Sequence, residues 1–281
     1  AHPAHTLVGK KSATTQGHAT MAEVQTRLNY YWSARAAAYH QAQTESERAP
    51  YDQALWREVF SQALNCDHGT IVDVGCGSGF ASHLLAEAGH DVYGIDSCAG
   101  MLVEACREAR ERKQQGLNTA NFCLGDAINP AWEAHSVDAV VSRYVLWTLT
   151  DPATAVRNWA RMVKPGGRVV AADGLWFPTG IDPDIQVESA HGPGSFAHTY
   201  DDHTMSHLPL GKAASVDDYA ALFASAGLES VEVSEVSAVH DLDQRFGLSK
   251  GHSPATQFVV SGVVTDHTHQ VVAGHSVREY A

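Results

Sequence analysis

Short apolar runs alternate with stretches of helical periodicity through the middle of the chain. The first apolar run, 71–74, leads into glycines at alternate positions: Gly75, Gly77 and Gly79. The next segment, 80–88, places its apolar residues on one helical face and ends before a glycine. The pattern predicts a buried strand, a glycine-rich turn and a helix, which is the repeating unit of an α/β fold.

Helical periodicity also precedes this region. Apolar residues at i, i+4, i+8 and i+11, counted from Leu28, predict a helix over 22–46. Pro50 interrupts the pattern, and a second helix is predicted over 51–65.

The alternation breaks down over 175–214, where four prolines and four histidines fall in a stretch without periodicity. Such a long irregular segment in a compact domain is usually functional or mobile. Beyond it, the pattern predicts a helix over 215–226 and two final strands over 228–236 and 257–264.

The two ends of the chain are polar. Residues 1–20 show no periodicity, and we expect them to be flexible or foreign to the native protein, with Met21 as the native start. The tail, 265–281, is also expected to be loose.

Composition excludes several functions. The 281 residues suit one α/β domain with an added cap, and the formal net charge is −13. The basic cluster at 107–113 alternates with glutamates at helical spacing, which is typical of a solvated helix face. We therefore expect no nucleic-acid partner and no binding to an acidic membrane surface.

Cysteine usage favours a reducing compartment. The five cysteines form no Cys-x-x-Cys pair, and the first residues lack the pattern of a signal peptide. Buried reduced thiols in a cytoplasmic protein are the simplest interpretation. A homodimer is compatible with the sequence.

The glycine loop differs from a dinucleotide fingerprint. The order G-x-G-x-x-G would need a glycine where Phe80 stands, and the third glycine here comes one residue early. An acid, Asp73, followed by G-x-G-x-G resembles motif I of the class I S-adenosylmethionine-dependent methyltransferases.

Further segments resemble the same family in the same order over about 70–175. They are a strand ending in an acid at 91–96, a "G-D-A" strand end at 125–127, a fourth strand at 137–143 and a "K-P-G-G-R" turn into a fifth strand at 164–168. The resemblance implies a Rossmann-like, mostly parallel seven-stranded sheet with helices on both faces and a reversed final hairpin.

The implied domain organisation has two main parts. An amino-terminal helical cap spans 21–66, and a class I methyltransferase domain spans 67–264. Within that domain, 175–214 is the insert after strand five, which in this family commonly forms part of the acceptor pocket or lid.

The resemblance implies S-adenosylmethionine as cofactor. The loop of Gly75, Gly77 and Gly79 would pass under it, Asp73 would order the loop or the ammonium, and Asp96 would accept from the ribose hydroxyls. An alternative for Asp96 is to cap the following helix. The other implied cofactor-binding residues are Cys76, Ser97, Met101, Asp126, Ala127, Arg143, Tyr31, Arg35 and Tyr39.

Three of these residues would contact defined parts of the cofactor. Met101 would pack on the adenine, and Asp126 would pair with its exocyclic amine. Arg35, on the amino-terminal helix, would meet the cofactor carboxylate. Each aromatic residue of that helix is alternatively part of the core.

The motifs indicate fewer residues for binding the methyl acceptor than for binding the cofactor. Ligands sit outside the carboxyl ends of strands in open α/β sheets. The residues that we expect to bind the acceptor on this basis are Tyr30, Tyr144, Trp147, Trp176 and Tyr200. The catalytic candidates are Tyr144, His191, His203 and His207. The spacing of the insert histidines matches no zinc pattern, so no metal is expected.

The predicted function is methyl transfer to a small-molecule acceptor by in-line displacement. A sulfonium is already a good leaving group, so alignment and exclusion of water matter most. A non-catalytic S-adenosylmethionine binder and a nicotinamide oxidoreductase remain alternatives. The acceptor atom does not follow from the sequence.

Overall fold

The computed structural model describes residues 13–187, 192, 194–248 and 251–278. One sheet of seven strands forms its centre, in the order β3-β2-β1-β4-β5-β7-β6. The strands are β1 (Thr70–Val74), β2 (Asp91–Asp96), β3 (Asn121–Leu124), β4 (Val137–Arg143), β5 (Val163–Gly174), β6 (Glu229–Glu235) and β7 (Gln257–Val263).

The sheet is parallel from β1 to β5, while β7 runs antiparallel to both β5 and β6. This arrangement confirms the predicted Rossmann-like, mostly parallel sheet with a reversed final hairpin. The chain builds outward from β1 in both directions, so the carboxyl ends of β1, β2 and β4 meet where the strand order reverses. Ligands bind at this switch point in open α/β sheets.

Ten helices accompany the sheet in the described part of the chain. They are α1 (Ala13–Thr44), α2 (Ala49–Leu64), α3 (Phe80–Glu87), α4 (Ala99–Gln114), α5 (Pro152–Met162), α6 (Ser195–Thr199), α7 (Asp202–Ser206), α8 (Asp217–Ser225), α9 (Ala238–Phe246) and α10 (Asp266–Arg278). A 3₁₀ turn spans Leu146–Thr148.

Apolar side chains fill both faces of the sheet. On one face, Val140 and Val169 pack with Trp159 of α5 and Phe223 of α8. On the other face, residues of α2 and α3 cover Ile71, Val141 and Val170. Strands buried on both faces explain the near-continuous apolar runs of the sequence.

The structure corrects the predicted ends of the chain. Helix α1 begins at Ala13, so the described part of the segment expected to be flexible, 13–20, is helical. Residues 1–12 lie outside the described residues.

The expectation of a loose tail is wrong. Residues 266–278 form α10, which packs on α5. Thr268 is fully buried, and its hydroxyl donates to the Gly227 carbonyl at 2.7 Å. Val272 is also buried. Tertiary contacts therefore stabilise a helix that the polar sequence of the tail did not predict.

The segment after β5 is irregular, as predicted. Within 175–214 the described residues form only the short helices α6 and α7. One further helix, α9, lies between β6 and β7 and was not predicted. Among the described residues, no helix is both long enough and apolar enough to cross a bilayer.

Candidate functional site

The glycine loop connects β1 to α3 at the switch point of the sheet. Gly75, Gly77 and Gly79 have φ angles of 68°, 55° and 91°, in the left-handed region that glycine adopts without strain. The backbone N–H groups of Gly75 and Cys76 donate to the Ile95 carbonyl at 2.8 and 3.0 Å. These bonds fix the loop against the end of β2.

The three glycines differ in what surrounds them. A Cβ on Gly75 would lie 2.5 Å from Val145, and one on Gly79 would lie 2.9 Å from Phe122. A Cβ on Gly77 would meet only the Met101 sulfur, at 4.0 Å. The first and third glycines are therefore required by packing, while the space beside Gly77 remains open for a ligand to approach the backbone.

Asp96 ties the loop to the next turn. Its carboxylate accepts from the Gly77 N–H and from the Cys98 N–H, each at 2.8 Å. The N-cap of α4 is Cys98, without a side-chain capping bond, so Asp96 does not cap that helix. A carboxylate has about four acceptor positions, and these two bonds leave acceptor capacity for hydroxyl groups.

Asp73, near the end of β1, stabilises the loop through a hydrogen bond to α3. It is buried and accepts from the Ser82 hydroxyl at 2.6 Å, which joins the end of β1 to α3. Burial raises the pKa of Asp73 to about 7, because a charged carboxylate is costly in an apolar surrounding. Burial also raises the pKa of the Cys76 thiol, which argues against a nucleophilic role.

Three further predicted cofactor residues are Met101, which lies beside this loop, and Asp126 and Ala127, which follow β3. Met101 is buried on α4 beside Gly77. The exposed Asp126 accepts from the Ile128 N–H at 2.8 Å, and the Ala127 carbonyl accepts from the Trp159 indole at 2.7 Å. The Ala127 carbonyl is thus already engaged within the fold.

Helix α1 lies over the turn between β2 and α4. The Ser97 hydroxyl donates to Asn29 Oδ1 at 2.9 Å, and Ser33 Oγ lies 2.9 Å from Cys98 Sγ. A Cβ on Gly100 would lie 2.8 Å from the Ser33 backbone, so the two helices touch there. The amino-terminal helix therefore covers the side of the candidate site that this turn forms.

The predicted residues of α1 divide between core and surface. Tyr31 is buried, and its hydroxyl accepts from Arg35 at 3.3 Å. Tyr39 is half-buried and meets Trp32 edge to face. Tyr30 is 68% exposed, so the structure does not bring it to the other predicted acceptor residues.

Arg143 ends β4 within a group of aromatic rings. Its guanidinium carbon lies 4.8 Å from the centre of the Trp56 ring and 4.2 Å from those of Phe80 and Tyr144. These distances are typical of cation–π contacts. The group joins α2, the start of α3 and the end of β4.

Tyr144 follows Arg143 with a φ of +62°, which is unusual for an aromatic residue. Its hydroxyl donates to Gln257 Oε1 at 2.5 Å, and its ring meets Trp176 edge to face at 5.0 Å. Burial raises the pKa of Tyr144 to about 12, so the phenol is protonated at neutral pH.

Trp147 and Tyr200 belong to a second aromatic cluster. Their rings stack with centroids 5.0 Å apart, and Tyr31 and Phe196 pack against them. The Tyr200 hydroxyl accepts from the Trp32 indole at 2.9 Å and lies 3.0 Å from the Thr148 hydroxyl. This cluster joins α1, the turn after β4 and the insert into one layer at the carboxyl edge of the sheet.

The insert histidines do not form a site in the described residues. His203 and His207 lie on α7 and just after it, with ring centroids 4.8 Å apart, and His203 is exposed. His191 lies outside the described residues. No group of three His, Cys, Asp or Glu side chains suited to a metal occurs in the described part of the chain.

Sequence reasoning missed Asp173, at the end of β5. It is fully buried and accepts from the Trp147 N–H at 3.1 Å and from the Trp176 indole at 2.9 Å. Burial raises its pKa to about 7. An available signal was that acids stand near the carboxyl ends of four strands, at Asp73, Asp96, Asp126 and Asp173. Gln257 and Asn29 had no such signal.

Comparison with known proteins finds similarity to methyltransferases. Residues 72–171 match the family described as "Methyltransferase domain". The chain is 32% identical over 142 residues to an aklanonic acid methyltransferase of a Streptomyces species, covering 50% of this chain and 60% of that protein. It is 38% identical over 127 residues to a nocamycin O-methyltransferase of Saccharothrix syringae, covering 44% and 42%. The chain thus spans about half the length of these curated relatives.

Solved structures show the same fold. A geranyl diphosphate methyltransferase, described with geranyl diphosphate and sinefungin, aligns with a TM-score of 0.61 at 15% identity, over 86% of this chain and 100% of that one. A methyltransferase from Methanococcus maripaludis, itself assigned only provisionally as S-adenosylmethionine-dependent, aligns with a TM-score of 0.55 at 18% identity, over 82% and 92%.

Residues 72–171 are therefore similar to the methyltransferase domain family, and the resemblance of the sequence motifs to class I S-adenosylmethionine-dependent methyltransferases implies S-adenosylmethionine as cofactor. The residues present fit such a cofactor. The open face of Gly77 admits a ligand close to the backbone, and Asp96 stands beside it with acceptor capacity.

Proposed function

We propose that the protein transfers a methyl group from S-adenosylmethionine to a small-molecule acceptor. The observation that carries this proposal is the loop at the switch point. Gly77 alone of the three loop glycines faces open space, and Asp96 is held against it at 2.8 Å. The Gly77 face and the Asp96 carboxylate suit the amino-acid and ribose parts of the cofactor.

The residues of the chain do the positioning. Asp96 accepts from the ribose hydroxyls while it keeps the loop in place, and Met101 packs beside the loop. When bound, the cofactor supplies an activated methyl group on a sulfonium. Helix α1 and the aromatic cluster of Tyr31, Trp147 and Tyr200 exclude water above it, and dry alignment is what an in-line displacement requires.

The small-molecule character of the acceptor is supported by the names of the relatives, which act on compounds such as aklanonic acid and nocamycin. It is also supported by Tyr144 and Trp176, which lie at the carboxyl edge of β4 and β5. The charge of −13 disfavours a nucleic-acid acceptor. All five cysteines are free thiols, which supports a cytoplasmic location.

Calorimetric titration tests the donor. We expect S-adenosylhomocysteine to bind with a dissociation constant on the order of 1 μM, about −8 kcal/mol, and NAD to show no binding. NAD binding in its place would contradict the proposal.

Turnover tests the transfer itself. Release of S-adenosylhomocysteine is measured against a panel of small hydroxyl- and amine-bearing metabolites. Tight binding of the donor without release of S-adenosylhomocysteine for any acceptor would favour a non-catalytic binder.

A further inference from the structure

We propose that Tyr144 and Gln257 together orient the acceptor, and that the acceptor nucleophile is a hydroxyl or amine that still carries its hydrogen. This inference rests on the proposed methyl transfer. Tyr144 directly follows β4, and Gln257 begins β7 at the point where β7 pairs with Gly174, the last residue of β5. Both residues therefore stand at the carboxyl edge of the sheet, where the glycine loop lies.

The backbone of Tyr144 supports a functional role. Its φ of +62° places an aromatic residue in the left-handed region, and strained residues of this kind cluster at active sites. Surrounding contacts hold the strained conformation. The Tyr144 N–H donates to the Ala172 carbonyl at 2.8 Å, and its ring lies between Trp56, at 5.8 Å, and Trp176, at 5.0 Å.

The direction of the hydrogen bond decides what the hydroxyl can accept. Gln257 Oε1 is an acceptor, so the 2.5 Å contact uses the only hydrogen of the phenol. The Arg143 guanidinium donates to one lone pair of the phenol oxygen, and the other lone pair remains able to accept from an O–H or N–H group. An acceptor molecule without an O–H or N–H group could not hydrogen-bond to Tyr144, because the phenol O–H is already donated to Gln257.

In the transfer step, the Tyr144 phenol acts as a hydrogen-bond acceptor and not as a base. The phenol stays protonated at neutral pH because burial raises its pKa to about 12, so Tyr144 orients the nucleophile and does not deprotonate it. The lone pair of the nucleophile forms the bond to the methyl carbon. The electrons of the C–S bond remain on sulfur, and the proton of the nucleophile passes to solvent water as the product leaves.

Asp173 supports the same arrangement from the neighbouring strand. It holds the Trp176 indole at 2.9 Å and the Trp147 backbone at 3.1 Å, and Trp176 in turn borders the Tyr144 ring. One wall of the acceptor position is therefore fixed by a buried carboxylate.

The experiment compares phenol with anisole as probes of matched shape. Calorimetry first measures S-adenosylhomocysteine binding, and the complex is then titrated with each probe. We expect the wild-type complex to prefer phenol by about tenfold, the effect of roughly one hydrogen bond. Tyr144→Phe should remove the preference. Gln257→Leu should raise the affinity for anisole, because the freed phenol hydrogen can then donate to the ether oxygen.

Tyr51→Phe serves as the matched control. Tyr51 is 42% exposed on α2, where its hydroxyl accepts from Arg245, and its loss should leave the preference unchanged. Equal binding of the two probes by wild type, or an unchanged preference in Tyr144→Phe, overturns the inference. A more than threefold loss of S-adenosylhomocysteine affinity in Tyr144→Phe also overturns it. Failure of wild type to bind S-adenosylhomocysteine instead overturns the proposed function.

Discussion

At the residue scale, the proposed cofactor site predicts that a side chain at Gly77 would compete with S-adenosylmethionine. Gly77 and Gly116 have φ angles of 55° and 73°, and neither has a neighbour closer than 4.0 Å to an added Cβ. Valine at either position should lower the free energy of unfolding by about 1–2 kcal/mol, because its left-handed backbone is strained. Only Gly77→Val should also weaken S-adenosylhomocysteine binding, by about 100-fold or more. Equal affinities of the two variants in calorimetry would contradict the loop assignment.

A second prediction at this scale concerns Asp173. Its pKa of about 7 lies above the value of about 3.9 expected in the unfolded chain. The folded state therefore binds more protons between about pH 4 and 7, and the free energy of unfolding falls as pH rises through that window. Asp173→Asn should flatten this decline in urea titrations from pH 5 to 7. A decline as steep as that of wild type would show that Asp173 does not titrate in this range.

At the scale of elements, the contact between α1 and α4 at Gly100 decides whether the amino-terminal helix covers the site. Alanine favours a helix over glycine by about 1 kcal/mol. Gly274→Ala on α10, where a Cβ meets no atom within 4 Å, should show that gain. Gly100→Ala should not, because its Cβ would lie 2.8 Å from the Ser33 backbone.

Hydrogen exchange reads out the same contact. In Gly100→Ala, exchange over 25–42 should speed up while the 71–95 core is unchanged, and in wild type S-adenosylhomocysteine should slow exchange over 25–42. If 25–42 is equally protected in both variants and is insensitive to S-adenosylhomocysteine, α1 is static core and not a cover.

At the scale of the whole molecule, α10 closes the fold against α5. Val272 is 7% exposed, whereas Val103, also on a helix, is 63% exposed. Val272→Ala should lower the free energy of unfolding by about 1–2 kcal/mol, since about two buried methylene equivalents are lost. Val103→Ala should change it by less than about 0.5 kcal/mol. Equal urea midpoints for the two variants would mean that α10 does not contribute to global stability.

The sequence by itself determined the central α/β pattern and the position of the glycine-rich loop after β1. Both are local properties, because strands buried on two faces must be apolar and the sharp turn after β1 needs glycine. The acid at Asp96 was also found locally, at the end of a strand. Its bonds to Gly77 and Cys98 were not, since they join segments that periodicity treats separately.

Only the tertiary structure decided which residues surround the proposed acceptor position and whether the last helix forms. Tyr31, Trp147 and Tyr200 come together from distant parts of the chain, and Tyr144 reaches Gln257 across β5. Helix α10 forms although its sequence is polar, because Thr268 and Val272 are buried against the rest of the fold. Local sequence fixes what depends on neighbouring residues, whereas these features depend on contacts between residues far apart in the chain, whose free energy exists only once the sheet has formed.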